Sequence, residues 1–170
     1  MKIPEISTVG VLGAGLMGHG LALEFARAGY EVAIYDTIAA MRDSAPERLR
    51  GAYKTMSDMG MAAAAAADET LGRIKVVDSM EALGAAAEYV LEAITEDLEI
   101  KQAAFAELDR VCRPDVILAS NTSALSPTAL ASATNRPAKV VITHFFIPPY
   151  LLPLVEAVPG DGTDPAPVDL

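Results

Sequence analysis

The run Thr8-Val-Gly-Val-Leu-Gly-Ala-Gly-Leu-Met-Gly-His-Gly20 constrains this chain more than any other stretch. Thr8 to Val11 reads as a short buried strand, and Gly13, Gly15 and Gly18 follow in the order G-x-G-x-x-G before helix-forming residues begin. Each glycine has its own task. Gly13 permits a tight strand-to-helix turn, Gly15 lets the backbone approach a pyrophosphate, and Gly18 lets the helix pack closely on its strand. The helix start leaves backbone N–H groups near Leu16 and Met17 without helical partners, so the positive end of the dipole faces a phosphate. A glycine loop alone is weak evidence. Here the chain resumes with Glu31-Val-Ala-Ile-Tyr-Asp36, a second strand ending in an acid about twenty residues past the glycines, where a ribose hydroxyl is held. Together these features predict a dinucleotide site. NAD is expected over NADP, because a 2′-phosphate would meet the like charge of Asp36, and Thr37 and Ile38 follow rather than an arginine.

The remainder alternates. A helix is expected from Gly15 to Ala28, closed by Gly29, and a long one over Ile38 to Met59 that Pro46 either kinks or divides in two. The six alanines Ala62 to Ala67 carry helix propensity without chemistry and read as a surface helix. Strands are expected at Lys75–Asp78, Tyr89–Ile94, Val116–Ala119 and Lys139–His144, and helices at Met80–Ala87, Asp97–Cys112 and Pro127–Ala133. Such alternation implies an α/β fold, a Rossmann-type, doubly wound, mostly parallel sheet. Residues 1–158 are expected to form that domain. The turn-rich 159–170 reads as a linker, although Thr163 with Pro165 could open a new helix.

Charge and cysteine content narrow the partners. A net charge of −10 disfavours nucleic acid and anionic membranes, and no apolar run approaches the ~20 residues needed to span a bilayer. No leader is expected, because the first apolar stretch is the glycine-loop strand itself. Cys112 is the single cysteine, which fits a reducing cytoplasm and an inert packed thiol. Arg42, Arg48, Arg50 and Lys54 give residues 37–60 a slight positive balance, read as a solvated helix face that could alternatively meet an anionic ligand.

Two histidines are present. His19, in the first turns of the glycine-loop helix, reads as structural or solvent-facing. His144 ends an apolar strand on the ligand side of such sheets. Glu156 follows twelve residues later, past the turn-forming Pro148-Pro149 and the apolar run Leu151 to Val155, so the returning chain can set its carboxylate beside the imidazole. A pair of that kind makes a tuned general base, the carboxylate fixing the tautomer and stabilising the imidazolium. A satisfied core histidine fits the pattern equally well. Ser120-Asn-Thr-Ser123, at the end of another strand, offers either turn and N-cap chemistry or a hydroxyl at the mouth of a site.

Taken together, the glycine loop, Leu91-Glu-Ala-Ile-Thr-Glu-Asp-Leu-Glu-Ile-Lys101, Ser120-Asn-Thr-Ser123 and His144-Phe-Phe resemble the NAD-binding domain of 3-hydroxyacyl-CoA dehydrogenases, in the family's order and over nearly the whole chain. The resemblance implies hydride transfer between NAD and the 3-hydroxyl carbon of an acyl-CoA, with His144 taking the hydroxyl proton and Glu156 supporting it. Ser123 falls on the position that contacts both substrate and nicotinamide. Gly13, Gly15, Leu16, Met17, Gly18, Asp36, Ala93, Glu96 and Lys101 fall on the cofactor-binding positions. No metal is implied. The family's helical C-terminal domain is absent from these residues; in the resemblance it carries most of a homodimer interface and one wall of the substrate cleft.

Three departures keep other readings open. Ile147 stands where the family often has an asparagine at the nicotinamide. Ala52 and Met59 fall near the serine and lysine that grip CoA. Pro148 to Glu156 looks more like relatives acting on free hydroxy acids, such as gulonate or carnitine dehydrogenases. The alternatives are therefore dehydrogenation of a small free hydroxy acid, or a catalytically silent NAD-binding module.

Overall fold

The computed structural model describes residues 6–152 and 154–169. Seven strands form one sheet: β1 (Thr8–Leu12), β2 (Glu31–Tyr35), β3 (Ile74–Val76), β4 (Tyr89–Glu92), β5 (Ile117–Ser120), β6 (Val140–Phe145) and β7 (Val155–Pro159). The order across the sheet is β3-β2-β1-β4-β5-β6-β7. Every pairing is parallel except β6 with β7. The helices are α1 (Leu16–Arg27), α2 (Ala39–Asp58), α3 (Ala67–Gly72), α4 (Met80–Ala86), α5 (Leu98–Val111), α6 (Pro127–Ala131) and α7 (Pro165–Asp169).

Successive strand residues point to opposite faces, and each face is covered. Val11, Leu91, Ala119 and Val141 pack on one side with Leu21 and Leu23 of α1 and Met56 of α2. Leu12, Val90, Leu118 and Val140 pack on the other with Leu83 of α4, Phe105 and Leu108 of α5 and Leu130 of α6. Full burial of each large side chain stabilises by roughly 1.5–3 kcal/mol. The doubly wound, mostly parallel sheet expected from the sequence is thus present. The chain reverses its direction of travel across the sheet at β1, and the crevice between the C-terminal ends of β1 and β4 is where ligands bind in such folds.

Several boundaries differ from expectation for local reasons. α2 is one continuous 20-residue helix with Pro46 inside it. The proline is exposed, so the carbonyl it leaves unbonded can turn to water, while Ala45, Leu49, Ala52, Tyr53 and Met56 anchor the opposite face. The alanine run forms only a turn of 3-10 helix at Ala64–Ala66 leading into α3. Propensity without a buried face does not overcome the cost of nucleation. β7 begins at Val155, after most of the apolar run that precedes it; Pro153 in that run and Leu170 lie outside the described residues. Beyond β7 the chain stays on the domain: Thr163 donates its hydroxyl to the Val140 carbonyl at 2.6 Å, the Asp161 N–H reaches Thr128 Oγ1 at 3.1 Å, and the short α7 follows.

Candidate active site

The glycine loop is fixed by backbone shape. Gly13 has φ +103°, and a Cβ there would sit 2.6 Å from the Ala93 carbonyl oxygen; one on Gly18 would sit 1.8 Å from that of Gly13. Gly15 is different. A Cβ there would meet only Met41 Cε, at 3.8 Å, so its space is open toward solvent rather than filled by protein. The first-turn N–H groups of Leu16 and Met17 find no acceptor among the described residues, which suits a phosphate.

Asp36 directly follows β2 and accepts from the Ala14 N–H at 2.8 Å and the Ile38 N–H at 2.9 Å, so the acid also holds the glycine loop. One part of the sequence reading is corrected here. An arginine does lie near Asp36: Arg42, in the first turn of α2, reaches back to the Asp36 carbonyl at 2.6 Å and lies over the Tyr35 ring. The residues next in sequence could not reveal it, because α2 returns position 42 over the strand end. A cleft of about 460 Å³ runs from Gly15, Asp36 and Met41 to Ala93, Ile100 and Glu107.

A second cleft, of about 380 Å³, adjoins it at Ala93 and is lined by Met17, Glu96, Ser123, His144 and Ile147. Its floor is a buried ionic network. Lys101 and Glu92 are 1% and 0% exposed, and Lys101 Nζ donates to Glu92 Oε1 at 2.6 Å. The remaining ammonium contacts go to the Ile94 carbonyl and Glu96 Oε2, both at 3.3 Å. Glu92 also accepts from the Ile94 N–H at 2.7 Å and from Ser120 Oγ at 2.5 Å. Burial pushes the Glu96 carboxyl upward, but the Thr122 hydroxyl, the Lys101 ammonium and the Ser123 N–H outweigh it and hold the group below the usual carboxylate range. Lys101 therefore borders the cleft with its protons already committed.

Glu92 was not singled out from sequence, and Ser120 and Thr122 were read only as members of the Ser120–Ser123 turn, not as partners of buried carboxylates. A signal was available: Tyr89-Val-Leu-Glu92 places an acid at the end of a fully buried strand, and a buried charge requires a partner.

The antiparallel register of β6 and β7 pairs His144 with Glu156, and their side chains meet, Nδ1 to Oε2, at 2.9 Å. A carboxylate only accepts, so Nδ1 carries the proton and Nε2 is left with its lone pair free to accept. The Phe146 ring lies 4.8 Å from the imidazole, and Asn121 Oδ1 accepts from the Phe145 N–H at 2.8 Å, tying β6 to the Ser120–Ser123 turn. Beyond the pair is a pocket of about 150 Å³ lined by Ser123, Leu125, Pro127 and Val158. The structure thus brings His144, Glu156 and Ser123 together.

Other candidates resolve as structural. His19 is buried, its Nδ1 donating to the Gly15 carbonyl at 2.7 Å, and burial holds its pKa below 6.5. Burial raises the Cys112 thiol to about 11, which leaves it unreactive. On α2, Arg48 donates to the Met41 carbonyl, Lys54 pairs with Asp58, and Ala52 faces the core. An apolar cavity of about 250 Å³ beneath Phe25, Tyr30 and Tyr89 contains none of these site residues. No group of metal-binding side chains occurs among the described residues.

Residues 8–170 match the family described as "3-hydroxyacyl-CoA dehydrogenase, NAD binding domain". The chain is 39% identical to the 3-hydroxyadipyl-CoA dehydrogenase of Escherichia coli over 94% of its own length and 33% of that protein's. It is 36% identical to the L-carnitine dehydrogenase of Streptomyces coelicolor over 99% and 52%. The crystal structure of Mycobacterium tuberculosis FadB2 superposes with a TM-score of 0.91 at 38% identity, covering 96% of this chain and 57% of that one. The chain therefore spans between a third and somewhat over half of these relatives.

Proposed function

The chain belongs to the 3-hydroxyacyl-CoA dehydrogenase family as an NAD-binding domain, and on that premise we propose that it serves hydride transfer between NAD and the 3-hydroxyl carbon of a 3-hydroxyacyl-CoA. The observation that carries the reading is the His144–Glu156 pair, set at the mouth of a cleft continuous with the glycine loop. In this reading the open face of Gly15 and the free N–H groups of Leu16 and Met17 take the pyrophosphate, and the Gly13 and Gly18 packing shapes the loop. Asp36 takes a ribose hydroxyl, and Ala93, Glu96, Lys101 and Ser123 surround the nicotinamide end, Lys101 from beneath. NAD, when bound, supplies the hydride acceptor. Nε2 of His144 takes the hydroxyl proton, Glu156 stabilises the resulting imidazolium, and the Ser123 hydroxyl bonds the substrate oxygen.

The kinship with a carnitine dehydrogenase keeps a free hydroxy acid as the second reading. The charges of the cleft favour the thioester. Lys101 is the one cation among the described residues lining the two pockets that His144 borders, and its protons are committed, whereas Glu96 and Glu156 are anionic neighbours. A substrate carboxylate would find repulsion there; an uncharged thioester carbonyl would not. We further read residues 1–158 as the NAD-binding unit, 159–170 as the connection toward a helical domain that carries a homodimer interface, and a reducing cytoplasm as the setting, supported by the buried thiol of Cys112.

The test is NADH-dependent reduction of acetoacetyl-CoA beside free acetoacetate, in the protein with its helical domain. Faster turnover of the thioester is expected, with His144→Ala lowering kcat by about 10²–10⁴. Comparable turnover of the free acid would favour the second reading.

A further inference from the structure

We propose that Glu96 weights the nicotinamide pocket toward the oxidised, positively charged ring. The inference rests on NAD occupying the cleft as read above. It follows from the charges on the pocket's floor and wall. Glu92 and Lys101 face each other at 2.6 Å, and both are buried, so their charges cancel. Glu96 also touches that ammonium, at 3.3 Å, but one cation cannot neutralise two carboxylates. One negative charge remains, and it lies on Glu96, whose side chain is 43% exposed and lines the cleft.

The other titratable group facing this pocket is His144, with Glu156 behind its imidazole on β7. Arg42 and Arg48, the α2 cations with described contacts nearby, bond to the Asp36 and Met41 carbonyls and do not line the pocket. Thr122 and the Ser123 N–H hold the Glu96 carboxylate in place, so its charge is a fixed feature of the wall. A nicotinamide ring is cationic when oxidised and neutral when reduced. A fixed anion beside it therefore attracts one redox form and not the other. Shape and hydrogen bonding act on both forms, whereas this charge separates them.

The experiment is calorimetric titration of residues 1–170 with oxidised NAD and with NADH, each at low and high salt and at one alkaline pH. Glu96→Gln keeps an acceptor oxygen for Thr122 and Ser123 while removing the charge. It is expected to lower the ratio of oxidised to reduced cofactor affinity about tenfold, the order of one partly screened unit-charge attraction across a few ångströms. The loss should fall on the oxidised form and shrink in high salt. Thr122→Val, which loosens Glu96 without discharging it, should lower the ratio less than Glu96→Gln does. An unchanged ratio in Glu96→Gln, or equal loss of both forms, overturns the proposal. Failure of the unaltered chain to bind either form would instead count against the cofactor site.

Discussion

Around Gly13 and Gly18 the protein is held by backbone against backbone, whereas around His144 and Glu156 it is held by one side-chain pair on an edge hairpin. The glycine loop is fixed from three directions, by Tyr35, Asp36 and Ala93, and the buried Lys101–Glu92 network lies beside it with its polar atoms bonded. β7, by contrast, is exposed along its whole length, and the Glu156 side chain is 57% exposed. A site for a phosphate can be made from a loop and a helix end within one domain. Acid–base chemistry needs a dry, closed space around the imidazole. Here the first half is enclosed by protein everywhere but at its ligand face, and the second is open along an exposed edge strand.

The largest effect should come from breaking the enclosed half at its ion pair. Lys101→Met leaves Glu92 buried without its cation and should cost about 3–5 kcal/mol in chemical denaturation, most of it recovered in Glu92→Gln/Lys101→Met. If the single and double variants lose equal stability, the pair is not what holds this region.

Two glycine substitutions sharpen the same contrast at smaller cost. Gly18→Ala drives a methyl into the Gly13 carbonyl and should destabilise by roughly 1–3 kcal/mol. Gly15→Ala has room for its methyl and should melt within about 0.5 kcal/mol of the parent, yet weaken NAD binding, because the space it fills is the phosphate's. Loss of stability in Gly15→Ala without loss of affinity would contradict that division of labour.

How much of this was legible beforehand follows the same line. The glycine spacing, the acid at Asp36 and the strand–helix alternation are local patterns, and they pointed to a dinucleotide-binding domain and to a doubly wound, mostly parallel sheet. His144 and Glu156 were visible as a pair only through the turn between them; their contact depends on a register that puts them opposite each other. The Lys101–Glu92–Ser120 network was not visible, because its members come from α5, β4 and β5 and meet only when the strands align. Arg42 was missed for a similar reason: α2 returns it over Asp36 from six residues away. Patterns among neighbouring residues and one pair joined by a single turn were readable; contacts gathered from three separate elements, or made by a helix returning over a strand end, were not.

The smallest expected change in stability belongs to the open half. Glu156→Gln should shift unfolding by no more than about 0.5 kcal/mol and leave NAD affinity unaltered, because the carboxylate is exposed and lies off the nucleotide cleft. With the proposed helical domain attached it should nevertheless slow turnover, since on the proposed mechanism the imidazolium loses its counter-charge. A stability loss of several kcal/mol would mean that the pair is structural.

If the cofactor half is complete within residues 1–170 and the catalytic half requires a further wall over β7, then NAD binding by calorimetry and acetoacetyl-CoA reduction by NADH, both measured on this chain alone, should separate. One NAD bound per chain is expected, with turnover about 10³-fold or more below that of the chain joined to the proposed helical domain, because unaligned reactants forfeit much of the roughly 7–11 kcal/mol that orientation supplies. Full turnover by the monomeric chain, or no NAD binding, would contradict it.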